Sequence, residues 1–220
     1  MRKSNTIHAI ACLLVPAVLL GACGSSSNPA APSTTSAVRR VVVLGDSLAV
    51  TPTPAESFPA VLQQRIASAR LPWTVSNAGV LGDTTARGLR RYEPLLQDDV
   101  GLLILELGAN DGLGGVEVST IEGNLAAIIE TAQAHSVAVL LCGMETPPIR
   151  SVAYTLAFHD VFPRLSRRYN IPLVPFLLAG VALIPEMNGP DGIHPNAAGA
   201  RRVADNVWPY LEPLLRSGPT

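Results

Sequence analysis

Short apolar runs alternate with longer amphipathic stretches from about residue 41 to the end of the chain. Most of these runs are rich in Val, Ile and Leu and show no alternation of polar and apolar positions. Such runs are typical of strands that are buried on both faces of a sheet. They predict five strands, at residues 41–45, 73–79, 102–108, 137–143 and 171–176.

Between the predicted strands, apolar residues recur at the spacing of helices. The predicted helices span residues 56–70, 84–96, 119–134, 154–169 and 197–215. Regular alternation of strand and helix indicates βαβ units with right-handed crossovers and a parallel sheet. We therefore predict an α/β protein, a flavodoxin-like three-layer α/β/α sandwich with a five-stranded parallel sheet, in a single domain over residues 38–220.

The first 37 residues do not follow this pattern. Arg2 and Lys3 precede an apolar stretch over about residues 9–20, which is too short for a spanning helix and matches the centre of a secretory signal peptide. Residues 20–23, Leu-Gly-Ala-Cys, resemble the lipobox of bacterial lipoproteins. We therefore expect residues 1–22 to be removed and Cys23 to carry a lipid, although an ordinary signal peptide with an incidental cysteine is the alternative. The Ser/Pro-rich residues 23–37 are predicted to be a flexible tether.

This leader predicts an exported protein, anchored through the lipid on Cys23 to a membrane of the bacterial cell envelope, with its domain in the periplasm or on the outer surface. The formal net charge of -1 argues against a nucleic-acid partner, which normally meets a basic surface. Cys12 would leave with the signal peptide, so Cys142 is the one cysteine of the domain and is expected to be a small buried apolar residue. The sequence has no H-E-x-x-H motif or paired C-x-x-C motif, so we expect no metal and no cofactor.

Polar residues follow several of the predicted strands. In a doubly wound sheet these positions gather at the carboxyl edge, where ligands bind. Ser47 follows the first strand, but a serine hydroxyl is a weak nucleophile and needs a neighbouring base. Of the four histidines, only His194 lies in such a loop with an acid nearby, Asp191. An acid that holds the histidine in one orientation completes a Ser-His-Asp arrangement.

Acyl transfer also needs hydrogen-bond donors for the oxyanion. The backbone N–H of Gly82, the side-chain amide of Asn110 and the N–H of Ser47 are the candidates. Simpler interpretations exist for three residues of these loops: Gly82 as a turn glycine, Asn110 as a helix cap, and Asp111 as a turn former. Asp83 is predicted to cap the helix that follows it.

Four sequence blocks together resemble the SGNH hydrolases, also called the GDSL family. They are GDSL at 45–48, GDT from Gly82, GAND at 108–111 and DGIHP at 191–195, in the order and at about the spacing of that family. The resemblance implies the SGNH hydrolase fold, with Ser47 as the nucleophile and His194 as general base and then acid. It further implies that Asp191 orients His194, and that Ser47, Gly82 and Asn110 form the oxyanion hole without a metal.

The nearest branch contains bacterial esterases with overlapping thioesterase, arylesterase and lysophospholipase activity. The resemblance thus implies a monomeric serine esterase whose partner is a small ester or a lysophospholipid. The alternatives are a polysaccharide O-acetyl esterase and, in another class, a catalytically inactive tethered binding module.

Four features of the predicted domain leave their interpretation open. Residues 112–115 are rich in glycine and form either a movable cover over the acyl group or a flexible connection. One face of a predicted helix carries three arginines, Arg87, Arg90 and Arg91. We expect this face to be solvated, and contact with anionic lipid is the alternative. Met144 either lines the site or packs in the core. Residues 49–54 depart from the related esterases and bear on the acyl chain length.

Overall fold

The computed structural model describes residues 38–147 and 150–218. In this part of the chain one parallel sheet is formed by β1 (Arg39–Gly45), β2 (Trp73–Asn77), β3 (Val100–Glu106), β4 (Ala138–Cys142) and β5 (Leu173–Val174). The order across the sheet is β2-β1-β3-β4-β5. This is the flavodoxin-like order, so the predicted fold class, strand number and strand direction are confirmed. The predicted signal peptide, tether and Cys23 lie outside the described residues.

Helices cover both faces of the sheet. They are α1 (Phe58–Ser68), α2 (Thr85–Arg91), α3 (Ala109–Gly114), α4 (Val118–Ala134), α5 (Val152–Tyr169) and α6 (Ala197–Ser217). Helices α1 and α6 pack against each other, and α4 packs against both α2 and α5. These two groups form the outer layers of the α/β/α sandwich. Within the described ranges, no helix combines the length and the apolar character that a bilayer crossing requires.

The sheet lies in the centre of the core. All residues of β3 are buried, as are the last five residues of β1. Burial on both faces explains why these strands read as unbroken apolar runs. Cys142, at the end of β4, is completely buried, as predicted. The core therefore stabilises the domain mainly through apolar burial, at about 1.5–3 kcal/mol for each large side chain.

Three predicted elements differ from the structure. Strand β5 has only two residues, because Pro172 and Pro175 flank it and a proline cannot donate to the ladder. Helix α2 ends at Arg91 and is followed by a 3₁₀ turn at Glu93–Leu95, because Pro94 interrupts the helical hydrogen bonds. Residues 112–114 belong to helix α3, so the segment is helical and not the loop that was predicted.

Candidate active site

Ser47 lies directly beyond the carboxyl end of β1. It begins the 3₁₀ turn Ser47–Ala49, which is capped by the Asp46 side chain accepting the N–H of Leu48 at 2.9 Å. Strand β1 has β2 on one side and β3 on the other, so the chain changes direction across the sheet at this point. Ligands of doubly wound sheets bind at such a switch point. Ser47 is only 8% exposed, and its short turn holds it at this edge.

His194 and Asp191 meet Ser47 from the loop before α6. The Nε2 atom of His194 lies 2.8 Å from Ser47 Oγ, and Nδ1 lies 2.6 Å from Asp191 Oδ2. The other carboxylate oxygen of Asp191 accepts the backbone N–H groups of Ile193 and His194, both at 3.0 Å. A carboxylate can only accept, so Nδ1 carries the hydrogen and Nε2 is left to accept from the Ser47 hydroxyl.

The charge of Asp191 is stabilised locally. The hydrogen bond from the His194 side chain, together with the two backbone N–H groups, holds the pKa of the Asp191 carboxyl well below its ordinary value. Asp191 therefore stays ionised, and its side chain is half exposed to water, which also favours the charged form. A permanently charged acceptor at Nδ1 keeps the imidazole in one tautomer and one orientation.

The three candidate donors for an oxyanion lie near the same edge. The N–H groups of Ser47 and Gly82 donate to no other described residue, whereas the Asn110 amide is engaged. Asn110 Nδ2 donates to Asp46 Oδ2 at 3.0 Å and to the Asp83 carbonyl at 2.8 Å. Gly82 has a φ of +70°, which favours glycine and keeps its N–H accessible in an exposed turn.

The sequence of the chain matches one protein family over most of its length. A sequence model described as the GDSL-like lipase/acylhydrolase family matches residues 43–202. The chain belongs to the GDSL-like lipase/acylhydrolase family. The match spans Ser47 and His194, and the predicted SGNH hydrolase resemblance is confirmed.

Named relatives agree with this assignment. Esterase TesA of Pseudomonas aeruginosa is 38% identical over 182 residues, covering 81% of this chain and 90% of that protein. Thioesterase 1/protease 1/lysophospholipase L1 of Escherichia coli K12 is 33% identical over 178 residues, covering 80% of this chain and 84% of the relative. A crystal structure of TesA superposes with a TM-score of 0.76 at 37% identity, covering 80% of this chain and 99% of that one. The predicted class, a hydrolase that acts on ester bonds, is thereby confirmed.

This GDSL-family protein carries a buried pair of acids beneath the serine turn, which the sequence reasoning missed. The backbone N–H of Asp46 donates to Glu106 Oε2 at 3.1 Å, and both side chains are completely buried. Burial raises the pKa of Asp46 to about 6. Burial, followed by the charge of Asp46, raises the pKa of Glu106 well above its ordinary value. Burial therefore disfavours the charged form of both carboxyl groups, and the charge on Asp46 further disfavours a charge on Glu106.

A sequence signal for Glu106 exists. It is the one charged residue in the otherwise apolar run at 102–107, and a charge inside a strand that is buried on both faces needs a partner. The partner, Asp46, directly follows a different strand, β1, and the local sequence pattern does not show which strands pair. Strands β1 and β3 place Gly45 opposite Glu106.

Asp83 and the arginines of α2 also differ from their predicted roles. The cap of α2 is Thr84, whose side chain accepts the N–H of Arg87 at 3.3 Å. Asp83 is instead buried and pairs with Arg87 at 3.2 Å and with Arg91 at 2.6 Å. The prediction that Asp83 caps the helix was wrong. The reading of all three arginines as solvated was also wrong, since the side chain of Arg91 is only 27% exposed.

Asp111 holds α3 against α2 and thereby places Asn110. Its two carboxylate oxygens accept the Thr85 N–H at 2.8 Å and the Thr85 hydroxyl at 2.6 Å. Both Asn110 and Asp111 lie inside α3, so neither is a simple cap or turn residue. Met144 is 2% exposed and packs in the core.

Proposed function

We propose that Ser47, His194 and Asp191 are the catalytic triad of a serine esterase that works through an acyl-enzyme intermediate. The observation that carries this proposal is the continuous chain of hydrogen bonds from Asp191 through His194 to Ser47 Oγ, at 2.6 and 2.8 Å. A nucleophile within hydrogen-bond reach of a base that is itself oriented by an acid is the arrangement that activates a serine.

In the acylation half, Ser47 Oγ attacks the carbonyl carbon of the ester while His194 Nε2 takes the hydroxyl proton. The carbonyl oxygen becomes an oxyanion, for which the N–H groups of Ser47 and Gly82 and the amide of Asn110 are the proposed donors. Asn110 exchanges its bond to Asp46 for one to the oxyanion, because both amide protons are engaged in the resting state. The tetrahedral intermediate then collapses, and His194 gives its proton to the leaving alcohol or thiol.

In the deacylation half, water replaces the leaving group. His194 Nε2 takes a proton from water, which attacks the acyl carbonyl, and the second intermediate expels Ser47 Oγ, which takes the proton back. The products are a carboxylic acid and regenerated enzyme. Asp191 stays ionised throughout and stabilises the imidazolium formed in each half.

Apolar side chains beside the donors support acyl esters as substrates. Leu81 precedes Gly82 and is 66% exposed, Ile193 precedes His194 and is 56% exposed, and Leu113 lies in α3 close to Asn110 and is 39% exposed. Exposed large apolar residues that adjoin the site residues along the chain favour contact with an apolar ligand. We assign short to medium acyl chains, with alcohol, aryl, thiol or lysophospholipid leaving groups, to a monomeric enzyme.

The proposed location is the bacterial envelope, with a lipid on Cys23 holding the enzyme to a membrane. This part of the proposal rests on the sequence of residues 1–37. Mass spectrometry of the mature amino terminus tests it directly: a diacylglyceryl group on Cys23 is expected, and the Cys23→Ser variant should leave the membrane fraction. An unmodified Cys23 in the mature protein would contradict it.

One experiment tests the catalytic proposal. The purified protein is assayed on p-nitrophenyl esters of graded length, an acyl-CoA, a lysophospholipid and acetylated xylan, each beside Ser47→Ala. We expect hydrolysis of the acyl esters and its loss in the variant. Activity on xylan alone would favour the deacetylase alternative. No activity above the Ser47→Ala background on any substrate would favour the inactive binding module.

A further inference from the structure

Arg91, at the end of α2, contacts two separate backbone segments next to the candidate oxyanion donors. Its Nε atom lies 2.6 Å from Asp83 Oδ2, and its Nη2 atom donates to the carbonyl of Gly45 at 3.1 Å. Gly45 lies two residues before Ser47, and Asp83 directly follows Gly82. One guanidinium therefore joins the turn of the serine to the turn of the glycine.

The same contacts reach the third donor. The backbone carbonyl of Asp83 accepts from Asn110 Nδ2 at 2.8 Å. Asp83 therefore binds Arg91 through its side chain and Asn110 through its backbone. The Gly45 carbonyl further accepts the N–H of Val80 at 3.1 Å, which ties the serine turn to the start of the glycine turn. Arg91 thus contacts Gly45, which lies two residues before Ser47, and Asp83, which adjoins Gly82 and accepts from Asn110.

Burial makes the pairing of Asp83 obligatory. The Asp83 side chain is 1% exposed, and a carboxylate taken out of water needs a charged partner and hydrogen bonds. Arg91 is 27% exposed, whereas Arg87, the other partner, is 51% exposed and lies farther away at 3.2 Å. Arg91 is therefore the partner built into the fold, and its planar fork serves Asp83 and Gly45 at once.

We propose that Arg91 is a positioning residue that holds the oxyanion donors of Ser47, Gly82 and Asn110 in register. This inference rests on the proposed function, since it concerns the oxyanion hole of the same site. Among the described residues Arg91 makes no hydrogen bond to Ser47 Oγ or to the His194 side chain, so it acts through Gly45 and Asp83. Displacing donors by about 1 Å weakens transition-state stabilisation without removing any reacting group.

The test uses the full-length protein with Arg91→Met, Arg91→Lys and the control Arg90→Met. Arg90 lies on the same helix and is exposed. We expect Arg91→Met to lower kcat about 10- to 100-fold on p-nitrophenyl butyrate, with KM changed less than about threefold. The kcat of Arg91→Lys should lie between those of wild type and Arg91→Met, because a lysine amine reaches one partner at a time. Arg90→Met should match wild type, and added methylguanidinium should restore part of kcat in Arg91→Met.

Two further variants keep the test decisive. If Arg91→Met does not fold because Asp83 is left unpaired, Arg91→Met/Asp83→Asn removes the buried charge, and its kcat is compared with Asp83→Asn alone. A folded Arg91 variant with kcat within about threefold of its reference, whatever its melting temperature, overturns the proposal and leaves Arg91 a structural residue. Ser47→Ala is measured in parallel: full activity there would overturn the proposed function itself, and the role of Arg91 with it.

Discussion

Replacing Asn110 with alanine separates the catalytic and structural roles of one amide. Both amide protons are engaged, one by the buried Asp46 carboxylate at 3.0 Å and one by the Asp83 carbonyl at 2.8 Å. Removing an oxyanion donor typically lowers kcat by about 10²–10³. Asn110 gives up a charged acceptor, Asp46, when it turns to the oxyanion, so the net gain is smaller. We therefore expect the lower end, about 10²-fold or roughly 2.7 kcal/mol.

The structural effect of the same change is distinct. Asp46 and the Asp83 carbonyl each lose a donor, and leaving buried acceptors unpaired destabilises a protein by about 1–3 kcal/mol. Asn206 offers a matched control, because its amide also donates twice, to the carbonyls of Leu177 at 2.9 Å and Ala179 at 2.8 Å, and takes no part in the hydrogen bonds that join Ser47, His194 and Asp191. Asn206→Ala should lose stability but keep kcat.

The assay combines urea unfolding with steady-state kinetics on p-nitrophenyl butyrate, with kcat expressed per folded enzyme by circular dichroism. A catalytic donor gives a large fall in kcat for Asn110→Ala and none for Asn206→Ala. If kcat of Asn110→Ala stayed within about threefold of wild type, or if both variants lost kcat equally, Asn110 would not act on the oxyanion.

Three other substitutions test contacts elsewhere in the structure. Asp191→Asn should lower kcat on the order of 10³–10⁴ on a p-nitrophenyl ester, because the amide no longer holds His194 in the productive tautomer, and a loss below tenfold would contradict this. The pKa of Glu106 is raised on folding, so its contribution to stability is lost as the pH rises above the ordinary carboxyl range. Urea unfolding between pH 5 and 9 should therefore show a smaller pH dependence for Glu106→Gln than for wild type; equal slopes would refute the assignment. Gly199→Ala should destabilise by about 1–3 kcal/mol although alanine favours helices, because its Cβ would lie 2.1 Å from the Met187 carbonyl oxygen, and a rise in melting temperature would show that reasoning to be wrong.

The sequence predicted the fold well where the signal is local. Apolar runs gave β1, β3 and β4, since burial on both faces leaves few polar positions, whereas the edge strand β2 carries Thr74, Ser76 and Asn77. Element ends were less accurate where proline decides them, as at Pro172 and Pro175 around β5 and at Pro94 after α2. The glycine-rich residues 112–114 were read as a loop, but tertiary contacts override weak helix propensity there.

The residues of the candidate site were predicted from the sequence, but not all of their contacts. Ser47, Asp191 and His194 were found from their positions after strands and before the last helix, and the structure brings their side chains together at 2.6 and 2.8 Å. Gly82 was placed as a donor, and its positive φ agrees with that role. Asn110 lies at the same edge, but the sequence could not show that its amide is already engaged.

What the sequence determines by itself is the order of strands and helices and which residues follow each strand, because hydrophobic period and loop chemistry act over a few neighbouring positions. Only the tertiary structure decides which of those residues face one another. Asp46 meets Glu106 across 60 residues, and Arg91 meets Gly45 across 46. Both contacts are set by strand pairing and helix packing. Both also depend on burial, because a charged or polar group removed from water needs a partner, and the fold determines which groups are near enough to provide one.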